Sequence, residues 1–207
     1  QMVNVTDDNT LDMNDEISIQ AWVNTSSLAG GYIVAKGATG DYQYGLRYAN
    51  GNVTMTLWTA VGGNHLNILS NTTINDGNWH HIVGVGKNNS YVKIYIDGVL
   101  KGESTVTAGL WNINGAEDLH IGGVNSFTGE VDEVGIWNKS LSASEVIDLY
   151  NSGDGLPFGG ADLITLLSPI DGTTISDIGD NFTVEGSNLS DLSGTWNNLT
   201  YNIWQNG

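Results

Sequence analysis

The chain has 207 residues, 40% of them hydrophobic, and its 23 acidic against six basic side chains give a formal net charge of −17. That apolar fraction is enough for a packed core, whereas the negative charge disfavours nucleic acid and anionic lipid surfaces as partners. There is no cysteine, which excludes disulfides and thiol nucleophiles, and no run approaches the ~20 apolar residues of a membrane span. The acidity is typical of solubility in a salty or calcium-rich exterior, with carboxylates gathered around a metal as the alternative.

Short strand-like runs separated by Gly, Asn or Asp follow one another along the first two thirds of the chain, which indicates an antiparallel all-β sandwich. In Tyr42–Tyr48, alternation predicts that the tyrosines and Leu46 share one face and that Arg47 lies on the other. In Val53–Trp58 it separates Trp58 from the apolar face. The predicted strands are Ile17–Val23, Gly31–Ala35, Tyr42–Tyr48, Val53–Trp58, Trp79–Val85, Val92–Ile96, Leu119–Gly123 and Val131–Trp137.

Two blocks carry the most specific pattern. The first, WHHIVGVGKNNSYVKIYIDGVLKG (79–102), predicts two strands joined by a polar turn at 87–90 and followed by a tight Asp97-Gly98 turn. The second, FTGEVDEVGIWNKSLSASEVIDLY (127–150), predicts a strand and then a short helix, 144–150, whose capping box is formed by Ser142 and Glu145.

In combination these blocks resemble the laminin-G-like family, which has a concanavalin A-type jelly roll. The resemblance implies a domain over residues 1–158, with Trp79 and Trp137 in its core. It also implies a non-catalytic module that binds carbohydrates or cell surfaces, or that serves as a spacer. Residues 1–5 match only the end of the family's first strand, so we expect a truncated strand, explained by excision from a longer protein or by a strand from a neighbouring copy.

The sequence changes character after the Gly- and Pro-containing linker 154–160. The segment SPIDGTTI resembles the opening of an immunoglobulin-like surface module. Residues 159–207 are too few for a complete sandwich of this class, which needs ~100 residues. We therefore expect a partial immunoglobulin-like β segment.

Carboxylates at 130–133 raise the question of catalysis. Glu130 and Asp132 share one face, but Glu133 points the other way, and Val134 and Gly135 stand where a second catalytic acid would be. We therefore expect no glycosidase chemistry. The resemblance implies instead that Asp132 ligates a structural Ca²⁺; a carboxylate that caps a strand end is the alternative. Weaker candidates lie in an acidic loop: Asp7, Asp8 and Asp12.

Flat aromatic rings are the natural means of holding a sugar, because a ring stacks on the apolar face of a pyranose. Trp58 is the leading candidate, since it opposes the apolar face of its own strand. A place in the core is the alternative for every candidate. The other ligand-binding candidates are Tyr42, Tyr44, Tyr48, Trp111 and His65, with Asn64 and Asn67 nearby.

Nine N-x-S/T sequons are present, about twice the number expected by chance, which favours a glycosylated protein outside the cell. The alternative is that Asn and Thr are enriched for turns and exposed strand positions. The sequons begin at Asn4, Asn24, Asn52, Asn71, Asn88, Asn138, Asn181, Asn188 and Asn198. Together with the lack of cysteine they favour an archaeal surface protein.

The sequence therefore predicts an adhesion module that binds glycans or a neighbouring cell's surface. A structural repeat of a surface layer, filament or viral fibre, making contacts with neighbouring copies, is the main alternative, and a glycoside hydrolase is the weaker one.

Overall fold

The chain folds as a sandwich of two antiparallel sheets, as expected from the sequence. The computed structural model describes residues 2–13, 15–38, 41–58, 65–105, 116–124 and 127–155. The eleven strands are β1 Val3–Val5, β2 Glu16–Asn24, β3 Gly31–Ala38, β4 Asp41–Ala49, β5 Asn52–Trp58, β6 His65–Thr73, β7 Trp79–Lys87, β8 Tyr91–Ile96, β9 Val99–Thr105, β10 Leu119–Val124 and β11 Glu130–Trp137. Helix α1 spans Ala143–Tyr150.

Sheet A has six strands in the order β1-β10-β3-β4-β5-β6, and sheet B has five in the order β11-β2-β7-β8-β9. Every described strand pair is antiparallel. The two predicted turns are confirmed: Asn89 has φ 52°, and Asp97 and Gly98 have φ 51° and 73°, so their backbones reverse direction tightly.

The core lies between the sheets and is built from the inward half of each alternating strand. Ile17, Ile19 and Ile94 of sheet B face Leu46 and Met55 of sheet A, and all five are fully buried. The sheets approach closely at Gly84, where an added Cβ would lie 2.5 Å from the Met55 sulfur. Strand alternation therefore decides which residues are left for the two outer faces.

Helix α1 covers part of the outer face of sheet B. Ser142 accepts from the Glu145 backbone, and Glu145 accepts from the Ser142 backbone, so the predicted capping box is confirmed. Val146 is fully buried and packs with Val83 and Val85 of β7 and with Tyr95 of β8. Both faces of β7 are consequently buried.

Alternation predicted that Tyr42 and Tyr44 share one face of the sheet, but in the structure they lie on opposite faces. Strands β3 and β4 change register between the pairs Lys36–Tyr44 and Gly37–Tyr42, so that Gln43 is an extra residue in β4. Tyr44, Leu46 and Tyr48 belong to the inter-sheet core, whereas Tyr42 clusters with Tyr32 and Ala35. The bulge turns Tyr42 to the outer face of sheet A.

The expectation that both motif tryptophans lie in the core is wrong for Trp79. Trp79 is 43% exposed at the first position of β7, where it pairs with Asn24. Trp137 is partly buried and packs beside Val83, Leu141 and the helix. Strand β6 was not predicted, because its Asn- and Thr-rich sequence resembles a loop; strand β9 was not predicted either.

The predicted immunoglobulin-like segment, 159–207, lies outside the described residues. In the described part of the chain, no helix is long and apolar enough to cross a membrane.

Candidate functional site

The two outer faces of the sandwich carry different side chains. On sheet B the outer face packs against α1. The outer face of sheet A is defined by the side chains that alternate with its core residues. These are Asn4, Tyr32, Ala35, Tyr42, Arg47, Asn52, Thr54, Thr56, Trp58, Asn67, Leu69 and His120.

A row of paired residues crosses the middle of this face. His120 pairs with Ala35, Ala35 with Gly45, Gly45 with Thr56 and Thr56 with Asn67. The small residues Ala35 and Gly45 leave the centre of the row low. At the β6 end, the Thr56 hydroxyl donates to Asn67 Oδ1 over 2.8 Å, which leaves the amide nitrogen of the exposed Asn67 as an outward donor.

Two tyrosines lie over this low centre. The ring centroids of Tyr32 and Tyr42 are 4.1 Å apart, and the residues are 7% and 5% exposed. Burial and the neighbouring Tyr42 raise the pKa of Tyr32, and the nearby Arg47 opposes them. The Tyr32 phenol therefore stays a neutral hydrogen-bonding group at physiological pH.

Arg47 is the exposed cation of this face. It pairs with Tyr32 on β3 and with Thr54 on β5, and it lies between the core residues Leu46 and Tyr48. Sequence alternation had placed Arg47 on this side of β4, but its meaning as a site residue was missed. Its position beside the tyrosine pair supplies a charged donor to an otherwise neutral surface.

Trp58 lies where the alternation of β5 predicted it. Val53, Met55 and Leu57 are fully buried between the sheets, whereas Trp58 is half-buried on the outer face with Thr54 and Thr56. It pairs with His65 at the start of β6. The side chain of His65 is outside the described residues, as are Asn64 and Trp111.

Tyr44 and Tyr48 are removed from the ligand candidates. Both are fully buried between the sheets; the Tyr44 hydroxyl donates to the Leu11 carbonyl over 2.9 Å and the Tyr48 hydroxyl to the Ser27 carbonyl. Burial, together with the charges of Asp12 and Asp7, raises the pKa of Tyr44 well above the usual value of a tyrosine. Neither ring presents a surface on which a sugar could stack.

A buried lysine pairs with two carboxylates of the acidic loop. Lys36 is fully buried, and its Nζ lies 2.6 Å from Asp7 Oδ1 and 3.6 Å from Asp12 Oδ1. Asp8 instead caps a short 3₁₀ turn by accepting from the Thr10 backbone over 2.8 Å. These three carboxylates thus have structural roles within the described residues, and calcium binding among them stays a prediction.

Asp132 is exposed, and its Oδ1 accepts from the Glu133 backbone over 2.8 Å. The bond stabilises a bulge in β11 at which Glu133 has φ 48°. Within the described residues, no three His, Asp or Glu side chains are grouped so that they could hold a metal ion. The described surroundings of Asp132 thus fit the capping alternative and do not supply a ligand set for Ca²⁺, which needs six to eight oxygens.

The adjacent histidines point to opposite sides of β7. His80 bonds Asp97 over 2.8 Å and Asp76 over 3.1 Å. Burial lowers the pKa of His80, but these two carboxylates outweigh it, so the pKa is raised. His81 is fully buried, and burial lowers its pKa to about 4.

His81 belongs to a stack under the end of α1. Its ring centroid lies 5.2 Å from that of Trp22 and 6.1 Å from that of Tyr150. The Gln20 amide donates to the Glu133 carbonyl, so Gln20 Oε1 faces the ring and accepts from His81 Nε2 over 3.1 Å. His81 Nδ1 is then a buried acceptor without a partner, and a proton there would find no acceptor of its own.

The sequons divide by exposure. Asn71 and Asn138 are exposed and Asn24 and Asn52 are half-buried, whereas Asn88 is 8% exposed with a buried Oδ1. Asn4 is exposed and donates to Asp118 over 2.7 Å. A glycan needs solvent space, so Asn88 does not fit as an acceptor. Asn181, Asn188 and Asn198 lie outside the described residues.

The fold is shared with several solved structures. The binding domain of Paraclostridial Mosquitocidal Protein 1 matches with a TM-score of 0.60 and 16% identity, over 73% of this chain and 41% of that one. The botulinum neurotoxin serotype G binding domain matches with a TM-score of 0.58 and 18% identity, over 72% and 40%.

A structure of botulinum neurotoxin type C, whose cell entry depends on interaction with two ganglioside molecules, matches with a TM-score of 0.58 and 17% identity, over 73% and 39%. The chain thus spans about two fifths of the length of each of these structures. At such low identities the likeness shows the fold alone.

No curated protein matches the chain. A laminin G family model, described as Concanavalin A-like lectin/glucanases superfamily, matches residues 1–147, well over half of the chain. The match confirms the resemblance of the Trp79 and Phe127 blocks and agrees with the six- and five-stranded sheets. The chain belongs to the Concanavalin A-like lectin/glucanases superfamily, and its described part is a jelly roll with one C-terminal α-helix.

Proposed function

We propose that the chain is a non-catalytic carbohydrate-binding module that holds a glycan on the outer face of sheet A. The observation that carries the proposal is the combination, on that face, of the half-buried Trp58 with the Thr56–Asn67 pair and Arg47. Sugar sites combine an aromatic surface with a few placed hydrogen-bonding groups. Here indole, hydroxyl, amide and guanidinium come from three neighbouring strands.

The structural neighbours support the ligand class. Among them are the type C neurotoxin, whose cell entry depends on interaction with two ganglioside molecules, and a neurotoxin DC binding domain in complex with SialylT. Because this chain corresponds to about two fifths of each neighbour, we take from them the chemistry of the ligand and not the position of a site.

The carboxylates support a non-catalytic module. A retaining glycosidase needs two carboxyl groups about 5–5.5 Å apart across the glycosidic bond. Around Arg47, Thr56 and Asn67, none of the described side chains on the outer face of sheet A is an Asp or Glu; Asp118, which accepts from Asn4, lies at the β1–β10 end of the face. Glu130 and Asp132 are exposed on β11 of sheet B instead, and Asp132 is engaged with the Glu133 backbone.

We place the module at the cell surface or outside the cell, as a part of a larger secreted or anchored protein. The sequons on exposed asparagines and the charge of −17 support this location. Glycan binding there would serve adhesion.

A second candidate, contact between copies of the chain, is favoured by one edge of sheet A. Among the described strands, β1 pairs only with β10, and the exposed fractions of Met2, Val3 and Val5 are 51%, 50% and 38%. An apolar edge strand can be extended by another chain. Under this alternative, sedimentation would show oligomers for the wild type and monomers for Val3→Lys.

A glycan array probed with three proteins tests the main proposal. The wild type is compared with Trp58→Ala and with a matched control, Trp79→Ala, which removes an exposed tryptophan from sheet B. We expect the wild type and Trp79→Ala to bind the same glycans and Trp58→Ala to bind them at least tenfold more weakly, as for loss of an aromatic contact.

The proposal fails if the wild type binds no glycan, or if the two tryptophan variants lose binding equally. Loss of polymer on incubation with the protein would instead revive the hydrolase.

A further inference from the structure

We infer that the bound glycan carries an acidic sugar whose carboxylate is held by Arg47. This inference rests on the proposed function and names the class of ligand for the same face. It is based on the position of Arg47, on the pairing of the other cations and on the distribution of carboxylates over the sandwich.

Arg47 is exposed near the middle of a six-stranded sheet and not at its margin. Strands β3 and β5 flank it, with Tyr32 on one side and Thr54 on the other. The same face continues to Thr56 and Asn67, so a ligand that lies on those two residues reaches the guanidinium within one strand spacing or two, about 5–10 Å.

The other cations are used within the chain. Lys36 pairs with Asp7 at 2.6 Å, Lys87 with Glu16 at 2.6 Å, Lys93 with Glu103 at 3.2 Å, and Lys139 with Glu145. Of the six cationic side chains, Arg47 and Lys101 have no ion pair in the described part of the chain. Arg47 is also the single arginine of the sequence.

This is unusual in a chain with 23 acidic residues. A guanidinium used only for stability would be expected to find a carboxylate, yet its neighbours on the face are Tyr32, Ala49, Asn52, Thr54 and Thr56, which are uncharged. No acidic side chain is among the described residues that flank Arg47 on this face, which leaves a local positive site on a negative protein. A carboxylate can therefore approach Arg47 without a like charge beside it.

The chemistry of arginine makes the class of ligand specific. Its planar guanidinium donates two parallel hydrogen bonds to a carboxylate, a geometry that an ammonium group cannot reproduce. The exposed amide of Asn67 can bind a hydroxyl of a neutral sugar as well as one of an acidic sugar, so Arg47 determines the choice between acidic and neutral glycans.

Matched glycan pairs test the inference. Sialylated oligosaccharides are compared with their desialylated forms, and oligouronates with the same oligomers after reduction of the carboxyl to an alcohol; sulfated glycans form a third arm. The proteins are the wild type, Arg47→Gln, Arg47→Lys and Lys101→Gln, the last of which changes the net charge as Arg47→Gln does but lies on β9 of sheet B.

We expect the wild type to prefer the acidic member of a pair at least tenfold. Arg47→Gln should abolish that preference while it still binds the neutral member, Arg47→Lys should keep only a small part of it, and Lys101→Gln should bind as the wild type. Thermal melting should show Arg47→Gln folded, because the side chain is exposed.

Equal binding of acidic and neutral glycans overturns the inference but leaves the proposed function standing, provided that Trp58→Ala still weakens binding. A preference for acidic glycans that persists in Arg47→Gln likewise overturns the inference and leaves the proposed function standing. A preference for sulfated over carboxylated glycans overturns the assignment of the carboxylate. Absence of binding to any glycan overturns both proposals together.

Discussion

Strand alternation gives each sheet an outer face, but the two outer faces carry different side chains and differ in what covers them. On sheet B the outward residues of β7 and β8 include the apolar cluster of Val83, Val85 and Tyr95, and α1 packs on it through Val146. On sheet A the outward residues are mostly aromatic or polar, with the apolar Ala35 and Leu69 among them and with the exposed Arg47 near the middle. Because the single described α-helix is used on sheet B, the face left for a ligand is that of sheet A.

Burial on an outer face has two origins in this molecule. Val83 and Val85 are buried because a helix lies on them, and their removal would expose that helix. Ala35 is buried beneath its own sheet neighbours, Tyr32 and Tyr42. Changes on sheet B should therefore affect stability, and changes on sheet A should affect binding.

The largest effect is expected for a charge under the helix. Val146→Asp buries an unpaired carboxylate against Val83 and Tyr95, and we expect it to lower the free energy of unfolding by about 4 kcal/mol or to detach α1. Urea denaturation measures the change. Ile147→Asp on the same helix is the control, because Ile147 is 55% exposed; its effect should stay within about 0.5 kcal/mol. Equal effects would show that α1 is not docked as described.

Acid should destabilise the same face. The pKa of His81 is about 4 in the folded chain and about 6.5 in the unfolded chain, so between these values the unfolded state binds more protons. The contribution of His81 to the free energy of unfolding is therefore fully present above pH 6.5. It is lost as the pH falls towards 4 and amounts to about 3 kcal/mol at most.

The neighbouring His80 has the opposite sign. Its folded pKa is raised, so its contribution is present below its unfolded pKa and is lost as the pH rises through the folded one. His81→Phe keeps an aromatic ring between Trp22 and Tyr150 and should flatten only the acid limb in melts from pH 4 to 8. An unchanged acid limb in this variant would contradict the assignment.

A smaller effect is expected on the sheet A face. Thr56→Val keeps the shape of a residue that is 2% exposed but removes the hydroxyl that orients Asn67. Loss of one such hydrogen bond is worth about 1 kcal/mol, so glycan affinity should fall about fivefold in calorimetric titration. Thr105→Val, at the exposed end of β9, serves as the control and should not change affinity.

The smallest effect distinguishes the two roles of Asp132. If its carboxylate only accepts from the Glu133 backbone, Asp132→Asn should melt as the wild type, and Asp132→Ala should lose up to about 1 kcal/mol, with or without chelator. Melting curves with added calcium and with a chelator check this. A chelator-induced drop that disappears in Asp132→Asn would establish the calcium site.

Sequence reasoning reached the fold because the signals for it are local. Alternation in Val53–Trp58 separates three core residues from Trp58, and the Ser142–Glu145 capping box marks the start of α1. The Asp97-Gly98 turn sets the register of its hairpin by its own backbone. Each of these signals depends on a few neighbouring residues.

The candidate site could be predicted from the sequence only in part, because it depends on a strand bulge and on ion pairs between residues that are distant in the chain. One extra residue at Gln43 reverses the face of Tyr42, and nothing in the sequence marks the bulge. Arg47 was placed on the correct face, but its lack of an ion pair becomes visible only when the lysines are seen with their carboxylates. Likewise, no local pattern predicts that Lys36 is buried between Asp7 and Asp12.

A nuclear magnetic resonance titration of isotope-labelled protein, with a glycan taken from the array, would locate the ligand surface residue by residue. If the outer face of sheet A is the ligand surface, we expect the shifted amide signals to cluster at Arg47, Thr54, Thr56 and Asn67, and those of Val83, Val85 and Val146 to stay unchanged. Shifts confined to sheet B and α1, or to the edge strand β1, would contradict it.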